Sequence, residues 1–207
     1  MNDPCPNIPV SAQDGVKRLM DGNQRFLKGT VHFPTGKKEV LASLTRKQNP
    51  YATILGCSDS RVPPELIFDA NFGELFVIRV AGNVLSPEVA GTIQYAGIHL
   101  KTPLFVVLGH ENCGAVKAAL DMKFRNAAHP SRIELLVQNI LPCLENIDEH
   151  ADPAVQNALA VEANVRWSMR QIANSPEGRA RAAEGQYLLL GAVFEIATGR
   201  VRFLPPA

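Results

Sequence analysis

Three uninterrupted apolar runs decide what this chain can fold into: Ala52 to Cys57, Glu74 to Val80 and Pro103 to Leu108, the last reading Leu-Phe-Val-Val-Leu after its proline. A strand that faces water on one side alternates apolar and polar residues. Runs without alternation belong to strands covered on both faces, and so to a parallel sheet with helices above and below it. The first and third runs break off into reactive groups, Cys57-Ser58-Asp59-Ser60-Arg61 and Gly109-His110-Glu111-Asn112-Cys113-Gly114. Thiol, carboxylate, guanidinium and imidazole at the end of a core strand must each find a partner or stay wet. In open parallel sheets functional groups collect in the crevice beyond the strands' carboxyl ends, so two adjacent strands would bring Cys57, Asp59, His110 and Cys113 together.

The remaining segments fit an α/β fold with a central, mostly parallel sheet. About four parallel strands and an antiparallel edge strand are expected, with helices on both faces and an N-terminal helical arm. Gln186 to Ile196 supplies the fourth strand, and the turn Ala197-Thr198-Gly199-Arg200 leads into Val201 to Leu204 as the edge. Ser11-Ala12-Gln13-Asp14 resembles a capping box, followed by Val16, Leu19, Met20, Phe26 and Leu27 at helical spacing. Short helices are expected over Lys38 to Lys47, from Ser86-Pro87-Glu88 to His99, from Gly114 to Met122 and from Pro176 to Ala183. A second capping box at Ser131 opens a helix to Glu149, kinked at Pro142. Asp152-Pro153 opens another, with Leu159, Val165, Met169 and Ile172 on one face.

A length of 207 residues with 46% hydrophobic content suits a single domain, residues 1–37 forming an arm and helix and 38–207 the core. The net charge of +1 gives no footprint for nucleic acid or an anionic membrane and points to a small-molecule substrate. No apolar run spans a bilayer and no export signal opens the chain, so as it stands the sequence reads as cytoplasmic. Four scattered cysteines do not make a disulfide framework. Cys5 in a proline-rich tail and Cys143 in an apolar stretch read as plain small hydrophobes.

Cys-x-Asp followed at a distance by His-x-x-Cys supplies four donors of the kind zinc takes, and two soft sulfurs favour zinc over magnesium or calcium. Cys113 would stand at a helix amino end, where the dipole favours its thiolate. From spacing alone other readings stay open. Cys57 and Cys113 could be buried thiols or a redox pair, His110 a satisfied turn residue, and Asp59 with Arg61 an ordinary ion pair.

Cys57-Ser58-Asp59-Ser60-Arg61-Val62-Pro63, Arg79-Val80-Ala81-Gly82-Asn83 and Gly109-His110-Glu111-Asn112-Cys113-Gly114 together resemble the β-class carbonic anhydrases. The resemblance implies one Zn2+ per chain on Cys57, His110 and Cys113, with water or Asp59 in the fourth position. Asp59 would swing between the metal and Arg61. It implies reversible hydration of CO2 to bicarbonate and a proton by zinc-bound hydroxide, the alternatives being a CS2 or COS hydrolase on the same site or a silent zinc-stabilised scaffold. Gln48, Phe76, Tyr95 and Gly114 match substrate-lining positions, partly supplied by a second subunit, so a homodimer or dimer of dimers is expected. Some bacterial members hold inhibitory bicarbonate with a tryptophan three residues before the first cysteine; Ile54 stands there in this chain.

Overall fold

Strand β1, Ala52–Gly56, is buried at every residue, and it lies inside the sheet with a neighbour on each side. The computed structural model describes residues 10–32, 38–185 and 187–205; Cys5 and most of the proline-rich tail lie outside them. With β2 (Leu75–Arg79), β3 (Leu104–His110), β4 (Leu188–Glu195) and β5 (Arg200–Phe203), the sheet runs in the order β2-β1-β3-β4-β5. The first four strands are parallel and β5 is antiparallel to β4, as the apolar runs predict. Register pairs Gly56 of β1 with Leu108 of β3, so Cys57 leaves the sheet alongside Gly109 and His110.

Successive residues of a strand point to opposite faces, and two cores result. Leu55, Cys57, Phe105, Val107 and Val193 pack on one side with Cys113, Val116, Ile140 and Val165; Ile54, Val106, Leu108 and Phe194 pack on the other with Leu19, Ile67 and Phe68. The first side carries α4 (Pro87–Tyr95), α5 (Gly114–Arg125), α6 (Ser131–Gln138) and α7 (Pro153–Asn174). The second carries α1 (Ala12–Lys28) and a four-residue helix, α3 (Pro64–Ile67), too short to leave a periodic signature in the sequence. The remaining helices are α2 (Lys38–Ser43), shorter than expected, and α8 (Pro176–Ala183).

In α1, Ser11 Oγ accepts from the Asp14 backbone N–H, as the capping box predicts. Its inward face differs from the periodic reading. Leu19 is fully buried, but Met20 and Leu27 are exposed, and Gly22 and Asn23 take the contact instead. Asn23 Nδ2 donates to the Ile67 and Gly199 carbonyls and its Oδ1 accepts from the Val201 N–H, which ties α1 to both α3 and β5.

Two further expectations are corrected. The helix from Ser131 does not reach Glu149: α6 ends at Gln138 and a 3-10 turn, Leu141–Leu144, contains Pro142, whose missing N–H cannot continue the ladder. Pro130, not Ser131, occupies the cap position there, without a side-chain bond. On α7, Val165 and Ile172 are buried while Leu159 is half exposed. Helix α4 continues into a π turn, Ala96–Leu100, so the helical stretch does reach past His99. Among the described residues no helix is long and apolar enough to cross a membrane.

Candidate metal centre

Where β1 ends, the chain must turn out of the sheet without losing its backbone partners. Arg79, the last residue of β2, solves this for the loop carrying the thiol and the carboxylate: its Nε donates to the Cys57 carbonyl at 2.9 Å and its Nη2 to the Asp59 carbonyl at 2.6 Å. The next turn, Ala81–Asn83, aims the Gly82 N–H at Cys57 Sγ, 3.3 Å away. Gly82 has φ 70°, and a Cβ there would sit 2.9 Å from Ile140 Cδ1, so both conformation and space require glycine. Two buried polar residues one turn apart on α7 hold this turn: Asn164 Nδ2 donates to the Gly82 carbonyl and Ser168 Oγ to the Asn83 carbonyl.

His110 closes β3 and is fully buried. Its Nδ1 lies 2.9 Å from the Glu111 carbonyl, which only accepts, so the proton belongs on Nδ1 and the Nε2 lone pair is left free. Asn112, at φ 54°, makes the left-handed turn that delivers Cys113 to the cap position of α5. The ligand atoms of Cys57, His110 and Cys113 lie within 4.8 Å of one another, all buried. His110 Nε2 is buried without a hydrogen-bond partner; Asp59 Oδ2 stands 3.9 Å off, beyond hydrogen-bond reach.

Electrostatics give the same account. The neighbouring Cys113 thiol, with help from His110 and the Gly82 N–H, holds Cys57 below the usual thiol range, against the effect of burial. The Cys57 sulfur, together with burial, pushes Cys113 up. The Val116 and Ala115 N–H groups at the start of α5 do favour the Cys113 thiolate, as a helix end should, but the neighbouring Cys57 charge outweighs them. Cys113 keeps its proton beside the Cys57 thiolate, so both sulfurs could ionise together only with a cation between them. The unpartnered imidazole nitrogen and this charge demand fit a metal with soft-donor preference.

Asp59 stands at the edge of the cluster and is held there by Arg61. Its carboxylate takes Arg61 Nε at 2.9 Å, Arg61 Nη2 at 2.8 Å and the Arg61 backbone N–H at 3.0 Å. The guanidinium bonds hold its acidity well below the usual carboxylate range. Gly114 is exposed at the first position of α5, beside Cys113. The other three lining candidates are not near the cluster within one chain. Gln48 is exposed before the amino end of β1, a strand of about 16 Å away from Cys57. Phe76 pairs in register with Thr53, and Tyr95 stacks on it with ring centroids 6.1 Å apart.

Arg79 and Gly82 lie in a motif that the sequence shows without a role, and the roles emerge only from the contacts above. Asn164 and Ser168 did leave a signal, a polar pair four positions apart inside the apolar stripe of Ala160, Val161, Val165 and Ile172.

The carbonic anhydrase family model matches residues 52–201. A carbonic anhydrase of Mycolicibacterium smegmatis is 37% identical over 193 residues, covering 93% of this chain and 92% of its own length. Carbonic anhydrase 2 of Mycobacterium tuberculosis is 35% identical over 204 residues, covering 94% and 93%. Among solved structures, tetrameric β-carbonic anhydrases from the ascomycete Sordaria macrospora superpose with a TM-score of 0.74 at 25% identity, covering 93% of this chain and 98% of theirs. The Coccomyxa β-carbonic anhydrase in complex with acetazolamide gives a TM-score of 0.70 at 27% identity, covering 91% and 86%. With a family match over most of the chain, relatives above one-third identity and β-carbonic anhydrase structures that superpose on the fold, the chain belongs to the β-class carbonic anhydrase family.

Proposed function

We propose that the chain is a zinc enzyme catalysing reversible hydration of CO2, with Cys57, His110 and Cys113 as the metal ligands. The carrying observation is the buried Cys-His-Cys cluster with an unpartnered Nε2, flanked by a carboxylate committed elsewhere. Two thiolates and one imidazole suit zinc, and three protein ligands leave the open position a catalytic site needs. When bound, zinc supplies a Lewis acid that makes its water ionise near neutral pH. In this chain, the Glu111 carbonyl orients His110, the Gly82 N–H steadies Cys57, and Arg79 fixes the loop. Asp59, held ionised and aimed by Arg61, accepts a hydrogen bond from the attacking oxygen and so orients it toward the CO2 carbon. Stopped-flow CO2 hydration with and without a chelator, alongside metal analysis, tests the reading; activity indifferent to zinc removal rejects it.

Asp59→Asn removes the acceptor charge while leaving size and metal ligands intact. It is expected to lower kcat about 100-fold, the scale on which a positioned proton-handling group contributes, with zinc content unchanged. Full activity in a zinc-loaded Asp59→Asn protein would remove Asp59 from the mechanism.

Bicarbonate is expected not to inhibit steeply. Ile54, three residues before Cys57, is fully buried among apolar side chains and has no polar atom on its side chain to offer an anion, and the Arg79 guanidinium is bonded to the Cys57 and Asp59 carbonyls. Rates measured against bicarbonate near pH 7 should fall gently; steep cooperative inhibition contradicts this.

We also infer a homodimer or dimer of dimers. Within one chain Gln48, Phe76 and Tyr95 do not reach the cluster, and Tyr95 and Ile98 expose apolar surface on one helical stretch. A second copy is what would bring those three residues to a metal centre. Light scattering on the purified protein should give two or four chains; a monomer with full activity would show that they are dispensable.

A further inference from the structure

Helix α7 carries two polar side chains, Asn164 and Ser168, that are fully buried amid the apolar Ala160, Val161, Val165 and Ile172. An apolar side chain would pack in either place without the cost of taking an amide or a hydroxyl out of water. Both groups are spent on the same three-residue turn, Ala81–Asn83: Asn164 Nδ2 donates to the Gly82 carbonyl at 2.8 Å and Ser168 Oγ to the Asn83 carbonyl at 2.9 Å.

That turn needs outside support. Gly82 and Asn83 stand in succession in the left-handed region, at φ 70° and 44°, and backbone in such sparsely populated conformations persists only where its surroundings over-determine it. The backbone's own contribution is the bond from the Asn83 N–H to the Val80 carbonyl, at 3.0 Å. Gly82, whose backbone has the widest freedom of any residue type, lies between two peptides with different tasks. The N–H of one donates to Cys57 Sγ at 3.3 Å, and the carbonyl of the other is the one Asn164 holds. Fixing the second peptide limits how far the first can rotate off the sulfur.

The helix that carries the pair is itself fixed. A Cβ at Gly109 would lie 2.5 Å from Val165 Cγ2, and one at Gly191 would lie 2.8 Å from Val165 Cγ1, so Val165 seats α7 directly on β3 and β4. Gly109 immediately precedes His110. Helix α7 therefore registers the turn that touches Cys57 against the strand that delivers the imidazole.

We propose that Asn164, backed by Ser168, is a positioning residue of the metal centre: it holds the Ala81–Asn83 turn so that the Gly82 N–H stays on Cys57 Sγ, and so sets how firmly that sulfur holds the metal. This role rests on Cys57, His110 and Cys113 being the metal ligands.

Cobalt(II) in place of zinc in the full-length protein tests it, because the thiolate-to-cobalt charge-transfer band reports the sulfur directly and not the stability of the fold. An N–H bond lowers the energy of the sulfur lone pairs, so its loss moves the band to longer wavelength. Asn164→Leu, similar in size and without a donor, should show that shift and hold cobalt about tenfold more weakly, the lower end of what losing an outer-shell partner costs. Ser168→Ala should move both in the same direction by less. Gln156→Leu is the matched control: Gln156 is buried on the same helix and also donates to a backbone carbonyl at 2.8 Å, that of Asp148, remote from the turn. It should lower the melting temperature and leave band and affinity at the parent values. Parent band and affinity in Asn164→Leu overturn the proposal, as does an equal shift in Gln156→Leu, since any loosening of α7 would then suffice. Should Asn164→Leu not fold, Ser168→Ala decides in the same way, because it deletes one oxygen. A parent protein that binds no cobalt overturns the metal-ligand reading itself, and this role with it.

Discussion

Cys57→Ser is expected to yield a folded protein that retains little zinc and hydrates CO2 at least about 100-fold more slowly. That figure is the upper end of what losing an outer-shell partner costs a metal site, and a direct ligand should exceed it. The physical reason lies in the acidity of the donor. The Cys57 thiol is held below the usual thiol range by its neighbours, so it gives up its proton to a metal readily, whereas a serine hydroxyl in the same place stays protonated and nearly neutral. What remains is one imidazole nitrogen and a Cys113 thiol, with no second thiolate to share the ion. Serine is close in size and Cys57 sits at a strand end, so circular dichroism should be unchanged. Cys143→Ser provides the matched control: Cys143 is half-buried beyond the cluster, so its loss should leave zinc and rate intact. A Cys57→Ser protein with full zinc and full rate would dismantle the assignment of this centre.

The second large effect is structural. Gly22→Ala should destabilise the protein by about 3 kcal/mol or more, the upper range for overpacking, because the added Cβ would lie 1.8 Å from the Phe68 carbonyl oxygen. That neighbour is backbone, so it cannot relax by changing rotamer, and α1 must lift off α3. Lifting it would also strain the three Asn23 bonds to Ile67, Gly199 and Val201. For a domain of this size the melting temperature should drop by about 6–12 °C. Gly29→Ala is an uninformative control, since Gly29 has φ 66°; Gly91→Ala, which meets nothing within 4 Å, is the suitable one and should change little. Equal melting of Gly22→Ala and the parent protein would show that the α1–α3 contact is not maintained in solution.

The sheet was legible because covered strands and reactive strand ends leave unmistakable local patterns. Ala52–Gly56 and Leu104–His110 show no alternation, and parallel pairing then places Cys57 beside His110 with no further information needed. What the pattern could not show was contact between elements far apart in sequence. Gly22 and Asn23 look like interruptions of an apolar stripe until the Phe68 backbone is seen pressed against them. Arg79 reads as the polar end of a strand until its guanidinium is found on two carbonyls of the neighbouring loop. The broken helix after Ser131 failed differently: a proline signals a kink or an end with equal force, and the packing of Ile140 and Leu144 into the core selects the end.

Arg79 also limits how Asp59 could make the swing between Arg61 and the metal that the family resemblance implies. Because the main chain at Cys57 and Asp59 is clamped from the adjoining strand, the carboxylate can leave Arg61 only by spinning about its own χ1 and χ2, with the peptide backbone stationary. Such side-chain jumps at partly exposed positions take picoseconds to nanoseconds, far shorter than loop excursions. A latch built this way would need no loop excursion, only the release of the Arg61 bonds, each time it opened.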